Sequence, residues 1–422
     1  MRKVSLKYPR LFTKRKPIIL RDALGVPDWG FKEVHSTLKY FLYHRKTINE
    51  IISKLERQIC SSLRVRFCIT TNFGREALYI ALRTLDLRKG DGVILPSFIC
   101  SSILYPILSL GGIPQFVDIG EDLNIDTSSL LERITPVTKI IMMPHLFGKP
   151  AQVESVMKIA QEKKLFVIDD AAQALGGKYK EKFLGTKGDF GILSFGPFKG
   201  IGATRGGALL ADNEELYRKA KQISLREEPM NEDIKRFVKY FLKFRMRKYT
   251  YFLTEQLRKK EKRETWNINF TEYQLKPPGS KISGVDASIV ICQLNKLAKI
   301  INKRKGIAYR LLSLLKDIQQ IKLPNPENGD HIFTKFVILL KDNWLEGQLS
   351  PAEAFVSYLR YHGIEAEPWC YIPLHLNWRF ESINELTKTE KIWRNIVGLP
   401  IHTNMTNSDI NYMSEVIRGY FK

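Results

Sequence analysis

Four short apolar runs, Val93–Leu95, Pro114–Ile119, Lys139–Pro144 and Leu165–Ile168, recur along the chain with helical segments such as Gln152–Lys163 between them. No other feature restricts the fold as much. Strands that alternate with helices cross over before they pair again, which argues for a mostly parallel sheet with helices on both faces. The stretch Gly92–Val117 carries no charged residue and is long enough to span a bilayer. Pro96, Pro106, Pro114 and Gly111-Gly112 break it instead into the strand, helix and strand of a buried α/β unit.

Around this centre the pattern extends in both directions. A helix is expected near Ile48–Ile59, followed by a strand at Phe67-Cys68-Ile69-Thr70-Thr71. Gly74 then opens a helix whose Leu78, Ala81, Leu82 and Leu85 follow helical spacing. Two further strands, Gly191–Phe195 and Ala208–Ala211, flank a Gly/Pro-rich loop. From about Ser280 the character shifts to a smaller α+β unit: a long helix Val285–Leu312, a strand Phe333–Leu340, and helices Pro351–Tyr361 and Asn407–Tyr420. The expected organisation is a basic arm at 1–45, a large α/β domain at 46–228, an insertion at 229–275 and a small C-terminal domain at 276–422.

Charge is concentrated at two places. The net charge is +23, of which residues 1–22 contribute +7 and residues 235–263 contribute +10, so the remaining body is close to ordinary. In the insertion, Phe237, Tyr240, Phe241 and Phe244 fall at helical spacing with Lys and Arg interleaved, the pattern of a basic amphipathic helix. Three readings stay open for it. It packs its aromatic stripe on the large domain, or segment 235–263 makes a peripheral contact with anionic membrane, or it binds nucleic acid, although no reading module accompanies it. The five cysteines are scattered without a C-x-x-C pair, which speaks against a disulfide framework or a metal site and for a reducing compartment. The N-terminus is basic but lacks the apolar core of a signal peptide, so a cytoplasmic location is expected, with any membrane contact at the inner face.

Two segments carry chemistry. Val167-Ile168-Asp169-Asp170-Ala171-Ala172-Gln173 is an apolar strand ending in two carboxylates. Downstream, Lys199 sits in Ser194-Phe195-Gly196-Pro197-Phe198-Lys199-Gly200, between two strands. Singly, a lysine is solvated surface and an Asp-Asp is a turn or cap. In this order they supply the two handles that pyridoxal phosphate requires: an amine that condenses with its aldehyde, and a carboxylate that keeps its pyridine nitrogen protonated. Gly74, at a strand-to-helix turn, suits the phosphate, because helix-start N–H groups and the dipole favour an anion.

With these segments the chain resembles the DegT/StrS-type nucleotide-sugar aminotransferases of the aspartate-aminotransferase superfamily, fold type I. The matching text also includes Gly90-Asp91-Gly92-Val93-Ile94-Leu95-Pro96-Ser97-Phe98, Phe116-Val117-Asp118-Ile119 and Pro144-His145-Leu146-Phe147-Gly148-Lys149-Pro150. Weaker matches fall at Tyr371-Ile372-Pro373-Leu374-His375 and Leu399-Pro400-Ile401-His402. The resemblance implies a seven-stranded sheet, a homodimer, and transfer of an amino group, from glutamate, to a keto group of a nucleotide-activated sugar. It assigns Lys199 the catalytic role and Gly74, Asp170, Gln173 and Ser194 the cofactor, to which the residues themselves add Arg75, otherwise a surface arginine. His145, Tyr371 and His375 match positions near the substrate. Where the family reads Ser-Gly-Thr this chain has Phe73-Gly74-Arg75, and Arg75 offers a charge-assisted bond in place of a hydroxyl. Cys100 stands where relatives stack an aromatic on the ring, with Phe98 as the nearby substitute. The family's Asn-x-Arg is reduced to Lys281, and Arg205 replaces a common Glu. A lysine at 199 also points away from the sugar-dehydrating branch, which has His there. Two alternatives stand beside this reading: a B6 enzyme acting on another ketone or a membrane-linked sugar, and a non-catalytic relative of the scaffold.

Overall fold

A computed structural model describes residues 28–43, 48–223, 233–243, 279–326, 329–341, 350–368, 371–376 and 385–422. The basic runs at 1–22 and 244–263 lie outside the described residues.

The strands in chain order are β1 (Phe67–Thr71), β2 (Gly92–Pro96), β3 (Ile113–Val117), β4 (Thr138–Pro144), β5 (Phe166–Asp170), the short hairpin β6 (Lys178–Tyr179) and β7 (Lys182–Phe183), β8 (Phe190–Ser194) and β9 (Gly207–Ala211). All but the hairpin form one seven-stranded sheet in the order β1-β9-β8-β5-β4-β2-β3, and β9 alone runs against its neighbours. The expected mostly parallel sheet is therefore present. Its strands are apolar on both faces because both faces are covered. Val93, Leu95, Ile140, Met142 and Ile168 point into one core, while Ile94, Ile141, Met143 and Val167 point into the other. The side-chain period of two sorts each strand between the layers. Helix Gly74–Thr84 packs on the first face; helices Ile48–Leu63, Val153–Lys163 and Gly284–Leu294 cover the second. The uncharged stretch resolves as β2, a short helix Leu104–Ser109 and β3, as its prolines and glycines require. Among the described residues no helix is long and apolar enough to cross a membrane.

A second sheet of β10 (Ile321–Lys322), β11 (Phe336–Leu340), β12 (Glu367–Pro368) and β13 (Ile396–Leu399), in the antiparallel order β10-β11-β13-β12, forms the smaller C-terminal unit with helices Pro351–Tyr361 and Asn407–Tyr420.

Three expectations are revised. The long helix Val285–Leu312 is two helices, Gly284–Leu294 and Leu297–Leu315, separated at Asn295-Lys296. The first packs in the large-domain core, and Ile307, Ala308, Leu311 and Leu315 of the second pack with the residues of the small sheet. Polar anchors hold the junction: Gln58 Nε2 donates to Asn295 Oδ1 at 2.7 Å, and Lys296 pairs with the buried Glu33 at 2.7 Å. The strand expected from Phe333 begins only at Phe336, because Ile332 N and Lys335 N donate to the carbonyls of Gly148 and Phe147 in the large domain. The span taken as an arm contains a helix, Phe31–Tyr43, seated on helix Gly284–Leu294. Gly284 is required there, since a Cβ would run into the Tyr40 ring.

Candidate active site

The cavity lies at the carboxyl ends of the parallel strands, where such sheets form ligand sites. Asp170 ends β5, Ser194 ends β8, and Gly74 begins the helix that follows β1. Together with Arg75, Gln173 and Lys199 they line one cavity of about 160 Å³. Apolar walls come from Leu78, Ile99, Ile103, Met142 and Ile192. Six residues expected from sequence to hold or act with the cofactor are thus gathered in one place.

Strand geometry explains why only one of the two carboxylates faces the cavity. Successive residues of β5 point to opposite faces. Asp169 is fully buried: its Oδ1 lies 2.6 Å from His145 Nε2, and its Oδ2 accepts from Lys187 N at 2.9 Å. Asp170 borders the cavity, and its Oδ1 accepts from Ala172 N at 2.9 Å. Burial raises the Asp170 carboxyl above its ordinary range, while the Ala172 amide and the Lys199 ammonium favour its charged form.

The start of helix Gly74–Thr84 is shaped for close approach. Phe73 at its N-cap places no side-chain acceptor on the free amides. A Cβ at Gly74 would lie 3.1 Å from Ser194 Cβ and 3.2 Å from Leu193 O, and one at Gly207 would lie 2.5 Å from Gly74 N. Gly207→Ala is therefore expected to push the helix start off the sheet and weaken pyridoxal-phosphate binding about tenfold or more, read as Kd in a spectroscopic titration. Unchanged affinity would show that the helix start does not hold the phosphate. The two arginines gather here: Arg75 lies 4.0 Å and Arg205 5.0 Å above the Phe73 ring.

The lysine loop is clamped at several points. Phe195 N donates to Gly206 O at 2.8 Å and Ala203 N to Phe195 O at 2.7 Å. Asp286 Oδ1 accepts from Thr204 N at 2.8 Å and from Thr204 Oγ1 at 2.7 Å. Gly200 O accepts from Arg304 Nη1 at 2.7 Å and Gly202 O from Trp29 Nε1 at 2.6 Å; in the separate turn after β5, Gln173 O accepts from Thr334 Oγ1 at 2.5 Å. Burial pulls the Arg304 guanidinium down to about 10. Arg304 and Trp29 on the lysine loop, and Thr334 on the turn after β5, were not anticipated, because nothing local in the sequence links them to segments so far away. Ser102 and Met142 also line the cavity without a sequence signal.

The residues expected near the substrate separate. Tyr371 belongs to the site's edge: its hydroxyl accepts from Gln173 Nε2 at 3.1 Å. His145 does not face a substrate. Its side chain is fully buried, with Nε2 on Asp169 and Nδ1 accepting from Ala151 N at 2.9 Å, so both ring nitrogens are occupied by protein. His145→Ala is accordingly expected to cost about 2–4 kcal/mol of stability, seen as a lowered Tm, with KM for the acceptor unchanged. A raised KM at unchanged Tm would restore the substrate role. His375 is likewise internal, with Nδ1 2.5 Å from Ser97 Oγ and Nε2 3.2 Å from Glu390 Oε1. Burial lowers its pKa, against Glu390. It joins the two units rather than reaching the cavity. Phe98 is also buried, against Phe147 and Tyr371, so it does not replace the missing aromatic; Cys100 itself lines the cavity.

The donor set fits pyridoxal phosphate: an amine, an acceptor for a protonated ring nitrogen, an amide for the ring's polar edge, and an uncapped helix start with a hydroxyl beside it. Comparison with known proteins agrees. Residues 44–418 match the profile of the DegT/DnrJ/EryC1/StrS aminotransferase family. The 3-oxo-glucose-6-phosphate:glutamate aminotransferase of Bacillus subtilis is 27% identical over 390 residues, covering 89% of this chain and 76% of that protein. The UDP-N-acetyl-3-dehydro-alpha-D-glucosamine 3-aminotransferase of Acidithiobacillus ferrooxidans is 27% identical over 369 residues, covering 86% and 87%. A solved structure of a Streptococcus pneumoniae protein described as a sugar aminotransferase, in its PLP form, superposes with a TM-score of 0.75 at 20% identity, covering 93% of this chain and 97% of that one.

Proposed function

As a member of the DegT/DnrJ/EryC1/StrS aminotransferase family this chain is a pyridoxal-phosphate-dependent aminotransferase, and we propose that it moves an amino group from glutamate to a keto group of a nucleotide-activated sugar. The observation that carries the chemistry is the convergence of Lys199, Asp170, Gln173, Ser194 and the Gly74 helix start on one cavity. Bound there, the cofactor supplies an electron sink for the carbon that exchanges its proton. The residues do the rest. The Lys199 amine anchors the aldehyde and, once freed, carries the proton to and from the substrate carbon. Asp170 would accept from the protonated ring nitrogen, and Gln173, which donates to the Tyr371 hydroxyl, would hold the ring's polar edge. Gly74, Ser194 and Arg75 receive the phosphate.

The substrate class draws support from the two curated relatives, one acting on a UDP-linked keto-sugar and the other on a keto-sugar phosphate. A keto-sugar phosphate, the acceptor class named for the Bacillus subtilis relative, is the alternative. A homodimer working in the cytoplasm completes the reading.

The test is direct. Purified protein with added pyridoxal phosphate should show a visible band that borohydride fixes, absent in Lys199→Ala. Glutamate should discharge that band, and a panel of UDP-linked and phosphorylated keto-sugars should restore it. A band that glutamate discharges but no keto-sugar restores would refute the sugar assignment while leaving the aminotransferase intact.

A further inference from the structure

Two helices at the edge of the large domain share an outer face of unusual composition. Helix Phe31–Tyr43 lies outside the span matched by the family profile, and the helical segment over 233–243 lies within it. Inward, they join one core through Tyr40 and Phe237, and Trp29 stacks near Phe237 at 5.5 Å. Both helices also meet the start of helix Gly284–Leu294, where Tyr40 packs on Gly284 and Arg236 pairs with Asp233 and Asp286. The two helices therefore lie close together at the edge of the large domain.

Outward, they present Phe31, Leu38 and Leu42 at 81%, 54% and 67% exposure, and Val238 and Leu242 at 47% and 50%. The spacing matters more than the number. Phe31, Leu38 and Leu42 fall at i, i+7 and i+11, and Val238 and Leu242 at i and i+4, so each set forms one stripe along its helix. Lys32, Lys39, Lys235, Lys239 and Lys243 are exposed beside the stripes. The acids of these helices are turned inward. Glu33 is buried and accepts from Gly30 N and Gln293 Nε2, and Asp233 is buried against Arg236. Among the described residues of the two helices, no exposed side chain is acidic.

We propose that this paired face docks the enzyme on an anionic lipid bilayer. Large apolar side chains beside exposed lysines, with no exposed acid among the described residues of the two helices, suit the headgroup boundary, where the apolar groups enter the acyl edge and ammonium groups such as Lys32, Lys39 and Lys239 meet lipid phosphates. Exposed lysines beside apolar stripes thus complement an anionic surface. The surface differs from the sequence expectation, which placed the contact in segment 235–263 alone and treated the first helix as part of an arm. Docking also sits near the chemistry, because Trp29, just before the first helix, donates to Gly202 O in the lysine loop.

The experiment is co-sedimentation of the full chain with vesicles of phosphatidylcholine, with and without about one-third phosphatidylserine, at low and high salt. The comparison protein combines Leu38→Ser, Leu42→Ser, Val238→Ser and Leu242→Ser, and Leu42→Ser alone serves if the combination fails to fold. Thermal melting and cofactor absorption check that each variant is intact, and light scattering without lipid records the mass. Wild type is expected to bind the anionic vesicles only, and less at high salt. The combined variant should bind about tenfold more weakly or worse, and the single variant a few-fold more weakly. Absence of wild-type binding overturns the proposal. So does a folded variant that binds as wild type, which would assign attraction to the basic runs alone. A variant that changes mass but not vesicle binding overturns it too, and would make this face a contact between copies.

Discussion

Lys199→Ala is expected to lower the rate of amino transfer by at least about 10⁴-fold while leaving the protein folded. The loss would be large because the proposed role gives one side chain two jobs, anchoring the cofactor's aldehyde and carrying the proton at the substrate carbon. Lys199 is only partly buried and its loop is held by others, so truncation should change stability by less than about 0.5 kcal/mol. Two readouts separate chemistry from structure. The borohydride-fixed band should vanish, and small primary amines added to the variant should restore part of the rate by replacing the missing amine. An unaltered rate in a folded variant would remove Lys199 from the reaction.

The second large effect belongs to Asp170→Asn, expected to cost about 10²–10³-fold in rate by withdrawing the charge that stabilises a protonated ring. Its effect on stability should have the opposite sign. Burial raises the Asp170 carboxyl in the folded protein, so the folded state holds the proton more tightly than the unfolded chain. The contribution of that group is complete below the ordinary carboxyl range near pH ~4 and is lost as pH rises through the raised value. At neutral pH the ionised, desolvated carboxylate therefore weakens the cofactor-free protein, whereas asparagine keeps an acceptor for Ala172 N without the charge. Cofactor-free Asp170→Asn should melt above wild type at pH 7, with the gap closing near pH ~4. Added cofactor should raise the wild-type Tm more than the variant's. A variant that melts below wild type throughout would mean that the charge of Asp170 supports the fold.

Much of the site was legible because its residues sit where strands end. An apolar run closed by carboxylates, and a lysine between two glycine-bounded strands, name the tips of β5 and the loop after β8 before any coordinates. The period of two along β5 even separates Asp170 from Asp169 once the strand's end is known. The histidines were less legible. His145 and His375 have the type and position of substrate contacts, but whether an imidazole meets solvent or a buried carboxylate depends on the chain packed above it. Phe98 failed as a substitute ring for the same reason: its neighbours Phe147 and Tyr371 already enclose it.

The alternation of strands and helices, the turn glycines and the order of acid, amide and lysine determined a mostly parallel sheet carrying B6 chemistry, because backbone pairing and local periodicity act between near neighbours. Only the tertiary structure decided that the lysine loop is held by Trp29, Asp286 and Arg304, that the long helix breaks at Asn295-Lys296, and that Phe31–Tyr43 joins segment 233–243 in one exposed face. Those arrangements rest on contacts between residues far apart in the chain, where burial and the demand that each buried polar group find a partner choose among side chains that look alike in sequence.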